Sequence, residues 1–436
     1  MLPPFTMSSW ARAAVSRCFL STAVAAMTSS RALMAFSRCG AALGAAFRFP
    51  TSTSPSTYRS TVFRDTLKAR EAHRRECPQA STECLMAATL SMLSIPDWST
   101  WLRLGVATFQ TGDWQPFRPA RTKNPQAVAE RIAGVISDLD AHIIGIQEGP
   151  STLEQMQYFA DTFLEGKYEA SGTESGSQSI YALVRKGCPV KAEPYDANHA
   201  YFSRLTRAVE FQPWGEVNKA KKYKMARPPA LLRLTKKNGQ KDPIHLIVAH
   251  TKSQFTQGFS RKLFEARDPT AMREAILSRQ KLSADIAALR RHVTNVILEQ
   301  ENASGVVLLG DLNDGFTKSV FEHEFLMQSL VDELRGSFRR QRALLDHAFT
   351  EEQLRDKNAY TVTFRSPEKK GVTKELIDHI LVTSALRDPK FWLTLRAGSG
   401  RVAHDIVDKH SVNNGKDADD RPSDHAPVFA DFDVRP

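Results

Sequence analysis

The sequence predicts an α/β fold, and three observations carry that expectation. Short apolar runs rich in Val, Ile and Leu recur along the chain, as in Val306–Leu309 and Ile244–His250, and read as buried strands. Between them lie segments whose apolar residues return every three to four positions, the mark of amphipathic helices. Several of the apolar runs end in an acid, an amide, a His or a Lys. Periodicity alone leaves two architectures open, a doubly wound sheet and a sandwich of two sheets.

The folded part is expected to span residues 98–436, behind an extension of residues 1–97. The chain has 436 residues, 42% of them hydrophobic, and a net charge of +11. Residues 1–97 hold 11 Lys/Arg against 5 Asp/Glu, a net +6, so the rest of the chain is only mildly basic. That balance permits an anionic substrate without demanding one. No Asp or Glu occurs between Met1 and Arg64, where Arg is scattered among Ala, Ser and Thr. Such a composition suits a disordered tail, an over-extended translation start, or a transit peptide to a mitochondrion or other organelle. Of the five cysteines only Cys188 falls in the expected folded part, which excludes a disulfide framework or thiolate zinc site there and suits a reducing intracellular compartment. No apolar run is long enough to predict a transmembrane helix.

The elements follow in order. Leu102–Phe109 reads as a first strand, ending at Gln110. Pro125 sits where a helix starts, and Val128, Ile132, Val135, Ile136 and Leu139 give it one apolar face. His142–Glu148 is a short strand ending in a carboxylate, and Leu153–Leu164 a second helix. The Gly/Ser-rich stretch Ser171–Ser177 reads as a connection to the strand Ile180–Val184. Strands follow at Ala230–Leu234 and Ile244–His250, then a long helix over Thr270–Glu299 with Leu282, Ile286, Leu289, Val293, Val296 and Ile297 on one side. Val306–Asp314 is the next strand, and its first four residues are a buried apolar run. Gly310 lets the backbone turn closely. Asp311 and Asn313, two apart, project to one side in extended geometry. Taken alone they serve equally well as an Asx turn. A helix is predicted at Ser319–Met327 and strands at Tyr360–Phe364 and Leu376–Val382. Val402–Pro422 reads as a polar mobile loop, and Ser423–Val428 leads into a last strand. The basic runs Lys219–Arg227 and Arg335–Arg342 fit either solvated surface or contacts to an anionic partner.

Polar groups thus stand at the ends of successive strands: Gln110, Glu148, His250 with Lys252, Asp311 with Asn313, Asp378, and Asp424 with His425. His379, next to Asp378, is turned by alternation to the other face and reads as structural. The ordered pieces Ile146-Gln-Glu148, Gly310-Asp-Leu-Asn313, Ile377-Asp-His379 and Ser423-Asp-His425 resemble the endonuclease/exonuclease/phosphatase superfamily of metal-dependent phosphoesterases. The resemblance covers about Leu102–Val434.

That resemblance implies a four-layer α/β sandwich, two mixed β-sheets face to face with helices on both outer faces, and a site at one rim. It implies hydrolysis of phosphodiester bonds with Mg²⁺ or Mn²⁺, cations that suit oxygen ligands without thiolate. Glu148 would be the principal metal ligand, with Asp424 assisting. Gln110 stands where the family has Asn. Asp311 would orient or deprotonate the attacking water, and Asn313 would bind a phosphate oxygen. His425, oriented by Asp378, would stabilise the phosphoryl group. His250, Lys252 and Arg227 would face the substrate phosphate. A monomer acting on a phosphoester is expected, with nucleic acid the leading substrate class. An enzyme of the same fold acting on a phosphoinositide, a sphingolipid or another small phosphoester is the alternative, and a catalytically silent binding protein is a third. Retention of six polar positions argues against the third.

Overall fold

The computed structural model describes residues 101–109, 123–175, 178–195, 205–212, 220–225, 227–238, 242–254, 258–299, 305–325, 327–368 and 370–435. The expectations placed on residues 1–97 and on Gln110 lie outside these described residues. In chain order the strands are β1 (Trp101–Thr108), β2 (Ile143–Gly149), β3 (Tyr168–Thr173), β4 (Ser179–Arg185), β5 (Val190–Pro194), β6 (Val209–Phe211), β7 (Lys221–Tyr223), β8 (Ala230–Lys236) and β9 (Ile244–His250). There follow β10 (Val306–Asp311), β11 (Leu345–His347), β12 (Val362–Phe364), β13 (Thr373–Glu375), β14 (Asp378–Thr383), β15 (Leu393–Leu395), β16 (Arg401–Val402) and β17 (Val428–Val434).

Two mixed sheets form the centre. The first runs β15-β17-β1-β2-β4-β3, with β16 also on β17; the second runs β11-β14-β10-β9-β8-β5. Each holds one parallel pair, β1 with β2 and β9 with β10, and its other pairings are antiparallel. A parallel pair needs a crossover connection. Helix Pro125–Leu139 supplies it for the first sheet and helix Pro269–Glu299 for the second.

Alternation then sorts the side chains into layers. Leu102, Leu104, Val106, Ile143, Ile180 and Ala182 of the first sheet meet Leu246, Val248, Val307, Leu309, Ile380 and Val382 of the second in one buried cluster. The outward residues Ile144, Ile146, Tyr181 and Leu183 pack under helix Pro125–Leu139, while Ile247, Val306, Leu308 and Leu381 pack under helix Pro269–Glu299. The fold is therefore a four-layer α/β sandwich of two mixed sheets with helices on both outer faces. The doubly wound alternative fails because each sheet gives only one face to helices.

The sequence explains the crossover helices. In the first, Asn124 caps the N-terminus by accepting from the Ala127 N–H at 3.2 Å, and Pro125 opens the first turn. Its apolar residues Val128, Ile132, Val135, Ile136 and Leu139 are all buried, each contributing about 1.5–3 kcal/mol. Gly145 of β2 lets the sheets approach closely. A Cβ there would meet Leu309 and lie 2.7 Å from a Val248 methyl. Gly145→Ala is accordingly expected to destabilise by about 1–3 kcal/mol through overpacking, read as a lowered urea midpoint with unchanged slope.

Two stretches differ from the sequence expectation. Ser171–Thr173, read as connection, belongs to β3, which pairs with β4 from Tyr168↔Arg185 to Thr173↔Ile180. As the edge of its sheet, β3 buries little and needs no apolar run. The Val402–Pro422 stretch, read as a mobile loop, holds β16, the helix His404–His410 and two short 3₁₀ turns. It is polar because it faces solvent, yet it is tied down. Asp419 accepts the Lys123 and Asn124 N–H groups at 2.9 and 3.0 Å, and His410 lies 2.6 Å from Asp138.

Candidate active site

At one rim of the sandwich the inward-facing positions change from apolar to polar in a single step. Val106 gives way to Thr108, Val248 to His250, Leu309 to Asp311, and Ile380 to Asp378. All four polar side chains are buried. Strand register puts three of them side by side, since Asp311 is opposite both His250 and Asp378. The polar rim is thus the continuation of the inter-sheet core.

Asp311 is the most heavily bonded member. It accepts from the Asn313 backbone N–H at 2.7 Å and the Asn313 amide at 3.3 Å, and lies 3.2 Å from His250 Nε2. Burial pushes its carboxyl up. In the acid range where His250 is protonated, its charge and hydrogen bond, with His425 and the Asn313 N–H, more than offset that and hold the carboxyl at about 2. Burial and the Arg227 charge lower His250 to about 4. His250 is therefore neutral at neutral pH; its Nε2 faces Asp311, and Arg227 Nη1 contacts both ring nitrogens, lying 2.7 Å from Nδ1. Asn313 sits at φ +50°, a conformation Asn tolerates. Its amide also donates to the Thr251 carbonyl at 3.0 Å, so in this structure Asn313 braces Asp311.

His425 Nδ1 lies 2.8 Å from Asp378 Oδ2. Burial would lower this imidazole, but the charge and hydrogen bond of Asp378, with Asp311 and Asp424 behind it, raise it to about 10. It is an imidazolium at neutral pH. A bridge to Val362 and the bond from Ala426 N–H to the Thr361 carbonyl at 2.7 Å hold its backbone. Thr361 Oγ1 in turn accepts the Asp378 N–H at 3.3 Å.

Glu148 reaches the same space by a different device. Plain alternation would send it outward with Ile144 and Ile146. The β2–β4 register instead shifts between Ile146 and Gly149, and Glu148 adopts φ +52°. A bulge of this kind re-aims a side chain. Burial first, then the nearby Asp424 and Asp311 carboxylates, push Glu148 up to about 7, against the opposing charges of Arg227 and His425. Asp424 itself is exposed.

The cationic side of the site is Arg227 and Lys252. Burial lowers both, and Lys252 also feels Arg227. Every predicted site residue that is described therefore falls in one neighbourhood. Three contributors went unread in the sequence. Gln178 donates to Glu148 Oε1 at 2.6 Å. Thr108 approaches Asp378 at 3.5 Å. Asp285, buried on the long helix, accepts the Lys252 N–H at 2.9 Å and is pushed up to about 6 by burial. A carboxylate on the apolar stripe of Leu282, Ile286 and Leu289 was a legible signal for Asp285. His379 points to the opposite face, with Nε2 2.8 Å from the Asp314 carbonyl oxygen, as alternation predicts.

No family model matches the sequence, and no curated protein does. Solved structures do resemble it. TDP2 from Caenorhabditis elegans is 14% identical with a TM-score of 0.42, over 90% of this chain and 97% of that one. The human Nocturnin catalytic domain with bound sulfate is 12% identical with a TM-score of 0.40, over 77% and 94%. An endonuclease/exonuclease/phosphatase from Bacteroides vulgatus is 15% identical with a TM-score of 0.39, over 77% and 100%.

Proposed function

We propose that the chain is a divalent-metal-dependent phosphodiesterase of nuclease type. The observation that carries this reading is one rim where an ionised Asp311, an Asp378-bound imidazolium at His425 and the carboxylates Glu148 and Asp424 stand together.

Among the described residues no three His, Cys, Asp or Glu form a ready metal cage. The donor chemistry nevertheless fits a hard cation. Glu148 is pushed to about 7 partly because Asp424 and Asp311 crowd it with negative charge. A cation bound by carboxylate oxygens relieves such crowding. Glu148 and Asp424 would hold Mg²⁺ or Mn²⁺, which when bound supplies charge neutralisation to phosphoryl oxygens.

The chain's own groups would do the rest. Asp311 stays ionised at neutral pH, and the His425 charge and the Asn313 N–H that favour its ionised form make it a weak base toward water. Its fitting role is to accept a hydrogen bond from the attacking water and orient it, while His250 and Asn313 hold it still. His425 would donate from Nε2–H to the charge that grows on the phosphoryl group. Arg227 and Lys252 would line the side on which the phosphate lies.

The two basic runs divide on this view. Burial, then the Asp285 carboxylate beside it, push Tyr223 on β7 up against the opposing charge of Arg227, so the first run borders the site. Phe338 and its neighbouring arginines precede β11, whose Leu345 pairs with Thr383, the end of β14 opposite Asp378. The first run therefore suits a chain of phosphates entering the site, which favours a nucleic acid.

The test is hydrolysis by the full chain with Mg²⁺ or Mn²⁺, across single-stranded DNA, RNA, sphingomyelin and a phosphoinositide. Oligonucleotides should be cleaved, activity should vanish in a chelator, and added Mg²⁺ or Mn²⁺ should restore it. Undiminished hydrolysis after exhaustive chelation would sink the metal assignment. Cleavage confined to a lipid would replace the nuclease reading.

A further inference from the structure

The β2–β4 edge carries a pairing of two unusual residues. Glu148 at φ +52° lies where these strands fall out of register, and Gln178 at φ +51° immediately precedes β4 at that end. Ile146 pairs with Tyr181 and Gly149 with Ser179, three steps on β2 against two on β4. Residues other than glycine rarely hold a left-handed backbone, and an observed outlier of that kind asks for a functional reason. Gln has no short side chain to bond its own backbone there, as Asn or Asp would. Its side chain instead crosses to the other strand, and Nε2 donates to Glu148 Oε1 at 2.6 Å.

We propose that Gln178 is a positioning residue that clamps one oxygen of Glu148 and presents the other to a divalent cation, an inference that rests on the reading of Glu148 as cation ligand. An amide is the right donor for this task. It fixes the carboxylate's rotamer through a short hydrogen bond yet carries no charge, so the full negative charge stays available. An Arg or Lys at the same place would neutralise the ligand it orients. Partners that orient a ligand in this way typically set metal affinity over a range of about 10–100-fold.

The backbone supplies a discriminating variant. Glycine is the residue that φ +51° favours. If Gln178 served only as a turn residue, Gln178→Gly would equal or improve on the wild type in every respect. The expected result is a split. In chelator, Gln178→Gly of the full chain should show an unchanged or higher urea midpoint. In isothermal titration with Mn²⁺ its affinity should fall by about 10–100-fold, and the shortfall in hydrolysis should close as Mn²⁺ is raised. Gln178→Met, which keeps the length and removes the amide, should lose the same affinity; if it does not fold, Gln178→Ala, which removes the amide without the freedom of glycine, takes its place. Glu148→Gln is the reference. If it loses Mn²⁺ while both Gln178 variants bind as the wild type does, the clamp is refuted and Glu148 keeps its role. If only the glycine variant weakens, the residue acts through its backbone and the clamp is again refuted. If Glu148→Gln binds Mn²⁺ as tightly as the wild type, the clamp and the reading of Glu148 fall together.

Discussion

His425→Ala and Asp378→Asn are each expected to lower turnover by about 10²–10⁴-fold, the range for a positioned acid–base or charge-stabilising group. The double variant should lose far less than the product of the two. The reason is that Asp378 acts through His425. Their 2.8 Å contact sets the imidazole's orientation and, with the Asp378 charge, keeps it protonated up to about 10. Once either member is gone the other has little left to do, so the losses overlap. The pair also has a stability signature. The folded pKa of His425 lies above its ordinary value of 6.5, so its contribution is fully present below about pH 6.5 and is lost as pH rises through 10. Asp378→Asn should remove that dependence, narrowing the gap to the wild type in alkaline solution. Urea titrations at several pH values and single-turnover kinetics check both parts. Multiplicative losses in turnover would show that the two residues work independently.

How much of this was legible in the sequence follows from how local each signal is. The strand Val306–Asp311 announced itself because four consecutive apolar residues must be buried and Gly310 must turn. The polar rim was legible for the same reason. Side chains two apart share a face, so a carboxylate or imidazole two steps beyond a core residue lands beside that core. His250, Asp311 and Asp378 all obey this rule. Glu148 does not, since plain alternation would have sent it outward, and only the register shift against β4 turns it in. Nothing within β2 alone specifies that shift, and the residue that meets Glu148, Gln178, lies 30 positions later. The face-to-face sandwich was likewise not written in any one strand. It follows from which faces the two crossover helices leave bare, a property of the assembled sheets. The edge strand β3 went unread because half-exposed short residues carry no burial pattern.

Arg279→Met is expected to destabilise the fold by about 3–5 kcal/mol, the range for breaking a buried ion pair from one side. Arg279, Asp314 and Glu322 are all buried. One guanidinium nitrogen lies 3.0 Å from Asp314, and the other contacts Glu322. Removing the arginine strands two carboxylates where water cannot reach them. The loss should spread beyond the ion pairs, because both acids hold backbone. Asp314 also accepts the Leu330 N–H at 2.9 Å, and Glu322 accepts the Ser319 N–H at 2.6 Å in the capping box of the helix Val320–Glu324. Together they pin the segment that follows Asn313, so its order depends on a charge some distance along the long helix. A buried charge network is seldom the most stable filling of its space. Replacing all three members with apolar residues of similar volume should therefore recover part of what the single change loses, though the two backbone N–H groups remain to be satisfied. Urea denaturation of the single and triple variants measures both terms. A single change costing less than about 1 kcal/mol would mean that the network behaves as a solvated surface pair and that Asp314 and Glu322 find other partners.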